Sequence, residues 1–135
     1  ETISYNKLNV KLFILNNNGY HSIRQTQRNL FKPPFIGIDG ETGVGFPDFC
    51  KLAEAFGFKY CELDNEPDAP AVIEKVLSSD GPVLCNVLVD PNQNFVPKLS
   101  SKVLPDGRIV SPSMDDMFPF LSREEYNSNR YKAEV

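Results

Sequence analysis

Residues Leu12 to Gln27 read LFILNNNGYHSIRQTQ, and their types and order carry chemistry. An apolar run ends in three asparagines and a glycine, then passes into a polar stretch of helical character. Asparagine side chains and open backbone carbonyls are neutral oxygen donors. Mg²⁺ takes six oxygens and usually shares phosphate oxygens with a few protein ligands. Gly19 allows a sharp turn and a close approach of the backbone to a ligand. A helix starting near Tyr20 would aim free N–H groups at an anion. Strand, NNNGY and helix together therefore suit a cation held below a diphosphate. The same residue types also build ordinary strand-to-helix turns, so spacing alone leaves both readings open. His21, the sole histidine, reads either as a loop residue that adds charge near phosphate or as a surface residue with no special role.

The elements needed to position this stretch are legible in outline. Glu1 to Leu8 reads as helix. Val10 to Leu15 is a near-continuous apolar run, the pattern of a strand covered on both faces. Tyr20 to Leu30 reads as a polar helix near the surface, and Lys32 to Gly45 as a Gly/Pro-rich loop. Pro47 suits a first helical position and Asp48 a helix N-terminus. Phe49, Leu52, Ala53 and Phe56 share an apolar face that Gly57 ends. Phe58 to Leu63 is a short strand. Pro70 to Ser79 is a helix with Ile73, Val76 and Leu77 inward, and Val83 to Val89 a buried strand. The order α–β–α–loop–α–β–α–β argues an α/β fold with a doubly wound, mainly parallel sheet. In such sheets ligands bind at the carboxyl ends of the strands, where Asn16 to Gly19 fall.

Residues 92–135 differ in character. Prolines recur, and Pro105-Asp106-Gly107 separates Val103-Leu104 from Ile109-Val110 as in a small hairpin. Ser122 with Glu125 is a capping-box pattern for a last helix running through Tyr126 to Glu134. The division is thus 1–91, an α/β part, and 92–135, an extended tail. The apolar cluster Met114, Met117, Phe118, Phe120 and Leu121 is expected to pack on the body.

Bulk properties narrow the function classes. The chain has 135 residues, enough for one core, and 41% are hydrophobic. A net charge of −4 with scattered Lys and Arg argues against a nucleic-acid footprint. The apolar runs are too short to span a bilayer, so no membrane role is expected. Cys50, Cys61 and Cys85 form no CxxC pair and read as buried reduced thiols, consistent with a cytoplasmic location. The first residue is Glu1 rather than Met, which reads as a piece of a longer protein. Asp115-Asp116 and Glu124-Glu125 are adjacent rather than facing pairs and read as solvated.

Three blocks in order, ILNNNGYHSIRQTQ, PDFCKLAEAFGFK and GPVLCNVLVDP, resemble the C-terminal third of the acetolactate synthase-like family of thiamine-diphosphate-dependent enzymes. The resemblance covers Val10 to Pro91. Its specific part is the first block, similar to the closing half of the family's Gly-Asp-Gly…Asn-Asn cofactor motif. The tail resembles acetolactate synthase-like proteins associated with bacterial surface-polysaccharide gene sets. The resemblance implies thiamine diphosphate and Mg²⁺ as cofactors. It matches Asn17 to a metal-binding asparagine and Gly19 to a metal-ligating backbone carbonyl. Tyr20, His21 and Ser22 match positions around the diphosphate. It further implies decarboxylation of a 2-oxo acid followed by addition to an acceptor, with the cofactor performing that chemistry. The motif's aspartate and the activating glutamate of an N-terminal domain on a partner subunit would lie outside this chain. The chain alone is then expected to be inactive, and to act within a homo-oligomer when full length. Two departures stand out: His21 occupies a position that is often Gly, and Thr26 occupies one where acetolactate synthases carry a Trp that helps select the acceptor. The alternative is a binding or interaction module that kept the fold and lost the chemistry.

Overall fold

The computed structural model describes residues 1–131 and falls into two compact units, Glu1–Gln93 and Asn94–Val135. In the first unit the short helix α1 (Thr2–Tyr5) precedes strand β1 (Lys11–Asn16) and helix α2 (His21–Leu30). A single 3-10 turn at Gly40–Thr42 interrupts the long loop that follows. Then come α3 (Phe49–Ala55), β2 (Lys59–Leu63), α4 (Ala69–Ser78) and β3 (Val83–Leu88).

The three strands form one parallel sheet in the order β1-β3-β2. β2, α4 and β3 make a βαβ unit, the usual way to join neighbouring parallel strands. β3 is central, and Lys11, Val83 and Lys59 lie in register across the sheet. The centre is accordingly the most buried part: Val83, Leu84, Cys85 and Asn86 are all withdrawn from water. The core proper joins Leu63, Val76, Val83 and Cys85, with Cys61, Ala69, Val72 and Val87 packed around them. The expected α/β parallel sheet is therefore present.

Local signals explain several boundaries. Asp48 caps α3 by accepting N–H bonds from Cys50 and Lys51 at 3.0 and 3.1 Å. The helix thus starts at Phe49, and Pro47 lies outside it rather than at its first position. At the other end Phe58 N–H reaches Ala53 O at 2.8 Å and Gly57 N–H reaches Glu54 O at 3.0 Å. Those two bonds are a Schellman closure, which needs the left-handed φ of +69° that Gly57 adopts.

Three expectations about burial need correction. β1 was expected to be covered on both faces, yet among the described residues it pairs with β3 alone, and Leu15 is 67% exposed. On α4 the inward stripe is Ala69, Val72 and Val76, while Ile73 and Leu77 are exposed. This helix is apolar on several sides, so periodicity could not choose the stripe that meets the sheet. The cysteines are free, as expected, but their burial differs: Cys50 is exposed on the first turn of α3, Cys61 half-buried and Cys85 fully buried. Burial first, and then a hydrogen bond with Cys61 on the neighbouring strand, pushes the Cys85 thiol up to about 12.

The second unit holds an antiparallel hairpin, β4 (Lys102–Val103) with β5 (Ile109–Val110). Leu104 N–H donates to Arg108 O and Gly107 N–H to Leu104 O, closing the Pro105-Asp106-Gly107 turn that the sequence signals. Helix α5 (Arg123–Asn129) is capped by Ser122, whose hydroxyl accepts the Glu125 N–H at 3.1 Å. The helix ends at Asn129, with Arg130 and Tyr131 outside it, short of the expected run to Glu134, of which residues 132–134 lie outside the described residues. Asp116 is not solvated as expected: it is buried and paired with Arg123 and Lys102, a partnership that adjacency on the chain does not announce.

Candidate cofactor-anchoring turn

β1 runs out at Asn16, and α2 begins at His21, so Asn17 to Tyr20 form a tight turn at the carboxyl end of the sheet. The Asn16 side-chain oxygen accepts the Asn18 N–H at 3.0 Å, the local closure that asparagine favours. Asn18 sits at a left-handed φ of +52°, which asparagine tolerates better than most residues. Tyr20 N–H donates to Ile38 O at 2.8 Å, and that bond ties the turn to the long loop.

Gly19 is where the packing is tightest. A Cβ built there would lie 2.3 Å from an Arg24 guanidinium nitrogen and 2.3 Å from the Ile38 carbonyl oxygen. Both distances are well inside contact, so this position has room for glycine alone.

The sequence-derived site residues divide into two groups. Asn17 and Gly19, both half-buried, come together on the turn. Ser22 is exposed in the first turn of α2, and Tyr20 is half-exposed with its ring edge-on to Phe46 at 5.6 Å. The N-terminus of α2 carries no side-chain cap. The start of α2 lies directly after Asn17 and Gly19 in the chain. His21 departs from both sequence readings. It is the first helical residue and only 3% exposed, neither a loop nor a surface residue. Its Nδ1 lies 3.1 Å from Pro91 O, and since a carbonyl only accepts, Nδ1 carries the hydrogen.

Reasoning from sequence missed the residue that organises this turn. Helix α2 is not simply a surface helix: one side buries His21, Arg24 and Gln25. Arg24 Nη1 donates to Pro91 O at 3.0 Å and to Asn17 O at 3.4 Å. Its Nη2 donates to Asn18 O at 3.3 Å and pairs with Asp39 Oδ2 at 3.4 Å. Asp39 is itself held in place. The Thr42 hydroxyl donates to its Oδ1 at 3.0 Å, and the Ile38 and Asp39 N–H groups donate to Thr42 Oγ1. The Thr42 bond and then the Arg24 guanidinium hold the Asp39 carboxyl below its usual range. A usable signal was present: His21, Arg24, Gln25 and Arg28 recur at three- and four-residue spacing, a polar stripe along one helix face.

A shallow cleft of about 320 Å³ adjoins the turn, lined in part by Asn18, Arg24, Asp39 and Pro91. Among the described residues no three His, Cys, Asp or Glu side chains gather as a metal site. No described helix is long and apolar enough to cross a membrane.

Residues 1–87 match the family described as thiamine pyrophosphate enzyme, C-terminal TPP binding domain. The chain is 30% identical over 96 residues to the acetolactate synthase isozyme 1 large subunit of Escherichia coli, covering 71% of this chain and 16% of that protein. It is 32% identical over 99 residues to the acetolactate synthase large subunit of Pyropia yezoensis, covering 73% and 16%. A chloroplastic acetolactate synthase 2 of Nicotiana tabacum is 29% identical over 104 residues, covering 74% and 16%. The chain thus spans about a sixth of the length of the relatives it matches.

Proposed function

Because this chain belongs to the thiamine pyrophosphate enzymes, within their C-terminal cofactor-binding domain, we propose that it supplies part of the Mg²⁺–diphosphate anchor of an acetolactate synthase-like carboligase or decarboxylase. The whole protein would act on a 2-oxo acid, with its other domains and further copies of itself completing the site. Bound thiamine diphosphate supplies the decarboxylation and the carbon–carbon chemistry.

One observation supports the reading: Asn17 and Gly19 share the tight turn after β1, next to the start of α2, which has no side-chain cap. The donor set suits Mg²⁺, which accepts neutral oxygens and takes the rest of its shell from phosphate and water. The crowding at Gly19 supports the same role, because a side chain there would push the turn off its present path. The peptide between Gly19 and Tyr20 is trans, so its C=O and N–H point in opposite directions. With Tyr20 N–H directed at Ile38 O, the Gly19 carbonyl is turned away from the long loop. Asn17 would give one oxygen to the cation and Gly19 another. The N–H groups at the start of α2, with Ser22 beside them, would face the diphosphate. Tyr20 would flank the same group. His21 would contribute from beneath, by holding the helix start to Pro91.

The test is Asn17→Ala in the full-length protein, with Mg²⁺ and cofactor titrated separately. The half-saturating Mg²⁺ concentration is expected to rise beyond the roughly 10- to 100-fold that loss of an outer-shell partner costs. An unchanged Mg²⁺ requirement would remove Asn17 from the metal shell and the reading with it.

A further inference from the structure

Arg24 is 3% exposed and makes one ion pair, yet most of its donors go to main-chain carbonyls. Those carbonyls come from two places, the turn after β1 and the segment after β3, and the Asp39 carboxylate adds the long loop. Burying a guanidinium is costly unless its hydrogens are satisfied, so an arginine kept here must be matched by fixed acceptors. Its planar fork fixes the direction of each acceptor as well as its distance.

The consequence for the turn follows from peptide planarity. With Asn17 O and Asn18 O directed at Arg24, the two peptide planes that contain them are set. The Asn18 N–H, opposite Asn17 O, is then directed to Asn16 Oδ1, as observed. The next plane, Gly19–Tyr20, is set by Ile38 O. Among the described residues no hydrogen-bond donor reaches the Gly19 carbonyl. Arg24 thus engages the two carbonyls that precede it in the turn.

We infer that Arg24 is a positioning residue: by occupying the Asn17 and Asn18 carbonyls and tying the turn to Pro91 and Asp39, it leaves the Gly19 carbonyl as the oxygen presented to a divalent cation. This rests on the reading of Asn17 and Gly19 as the cation anchor. It adds that the anchor's geometry is imposed from behind by a residue that touches neither cation nor diphosphate.

The test uses the full-length protein with Arg24→Met, Arg24→Lys and Asp39→Asn, and Asn17→Ala as reference. Cofactor binding is followed by calorimetry at graded Mg²⁺, and thermal unfolding is measured without cofactor. Arg24→Met is expected to raise the half-saturating Mg²⁺ concentration about 10- to 100-fold, the usual cost of losing an outer-shell partner. Arg24→Lys keeps the charge beside Asp39 but loses the fork, so it should fold and show an intermediate rise. Asp39→Asn should shift the Mg²⁺ requirement least, because Asp39 lies outside the turn and an amide oxygen there can still accept from Arg24. If Arg24→Lys binds cofactor with the wild-type Mg²⁺ requirement, the inference is overturned, whether or not Arg24→Met folds. A lower melting temperature with unchanged Mg²⁺ dependence overturns it too, since a purely structural arginine would behave so. A shift in Asn17→Ala without one in the Arg24 variants sinks the Arg24 role and leaves the anchor standing. No shift in Asn17→Ala sinks the anchor itself.

Discussion

Arg24 in the first unit and Asp116 in the second are both charged side chains drawn out of water, and they are satisfied in different currencies. Arg24 spends its donors on carbonyls of Asn17, Asn18 and Pro91, and its carboxylate partner Asp39 stands 3.4 Å away. Asp116 is held by side chains: Arg123 approaches both its oxygens at 2.9 and 2.8 Å, and Lys102 comes within 3.4 Å. The first arrangement shapes the main chain, because each acceptor is a peptide plane. The second ties β4 to the start of α5 and leaves the backbone to its local turns and caps. A buried cation bonded to carbonyls therefore marks a place where backbone direction matters, as the proposed cation anchor would require. A buried carboxylate in a bidentate pair marks a fastening within a small unit.

The sharpest way to break this contrast is Gly19→Ala. Its Cβ would strike the Ile38 carbonyl and Arg24 together. Overpacking of this kind costs about 1–3 kcal/mol, and cofactor binding by the full-length protein should be lost before the fold is. Calorimetry beside a urea melt checks the order, and wild-type cofactor affinity in this variant would show that the turn is softer than described. Next in size are two double-mutant cycles read by urea unfolding. Asp116→Asn with Arg123→Gln should show clear coupling. Arg24→Gln with Asp39→Asn should show less, because carbonyls carry most of what Arg24 does. Equal coupling in both cycles would erase the distinction.

Acid exposes the Asp116 pair in another way. The bond from Arg123, with its charge and that of Lys102, holds the Asp116 carboxyl below its usual range. Its folded pKa is thus lower than the unfolded value of about 3.9. The stabilisation is complete above that unfolded value and is lost as pH falls through the folded one. Tyr126 ring signals followed by NMR should therefore report loosening of the second unit below about pH 4. Asp116→Asn should flatten that dependence. An unchanged acid limb in the variant would assign the effect to other carboxylates. The smallest expected effect is Ser122→Ala, which removes the cap of α5 and should cost about 1 kcal/mol. It should leave cofactor binding unchanged, and a shift in Mg²⁺ dependence would contradict the separation of roles.

Much of the first unit was legible because its signals are local. The apolar run before NNNG, Asp48 at a helix start, Gly57 at a helix end and Ser122 with Glu125 each act within a few residues. The turn itself was legible for the same reason, since Asn17 and Gly19, the proposed donors, lie in one contiguous stretch at a strand end. Local pattern failed where several faces were equally apolar. In α4 the inward stripe is Ala69, Val72 and Val76, and the choice was made by the sheet residues it meets. It failed also at His21 and Arg24, whose polarity argued for exposure. The sequence by itself determined the parallel α/β plan, the order of its elements and the Asn/Gly turn after β1, because periodicity and turn chemistry are written in neighbouring residues. Only the tertiary structure decided that Arg24 would be buried behind that turn. Its partners at Asp39 and Pro91 stand 15 and 67 positions along the chain, and a guanidinium can leave water only where folding has already gathered the acceptors that replace it.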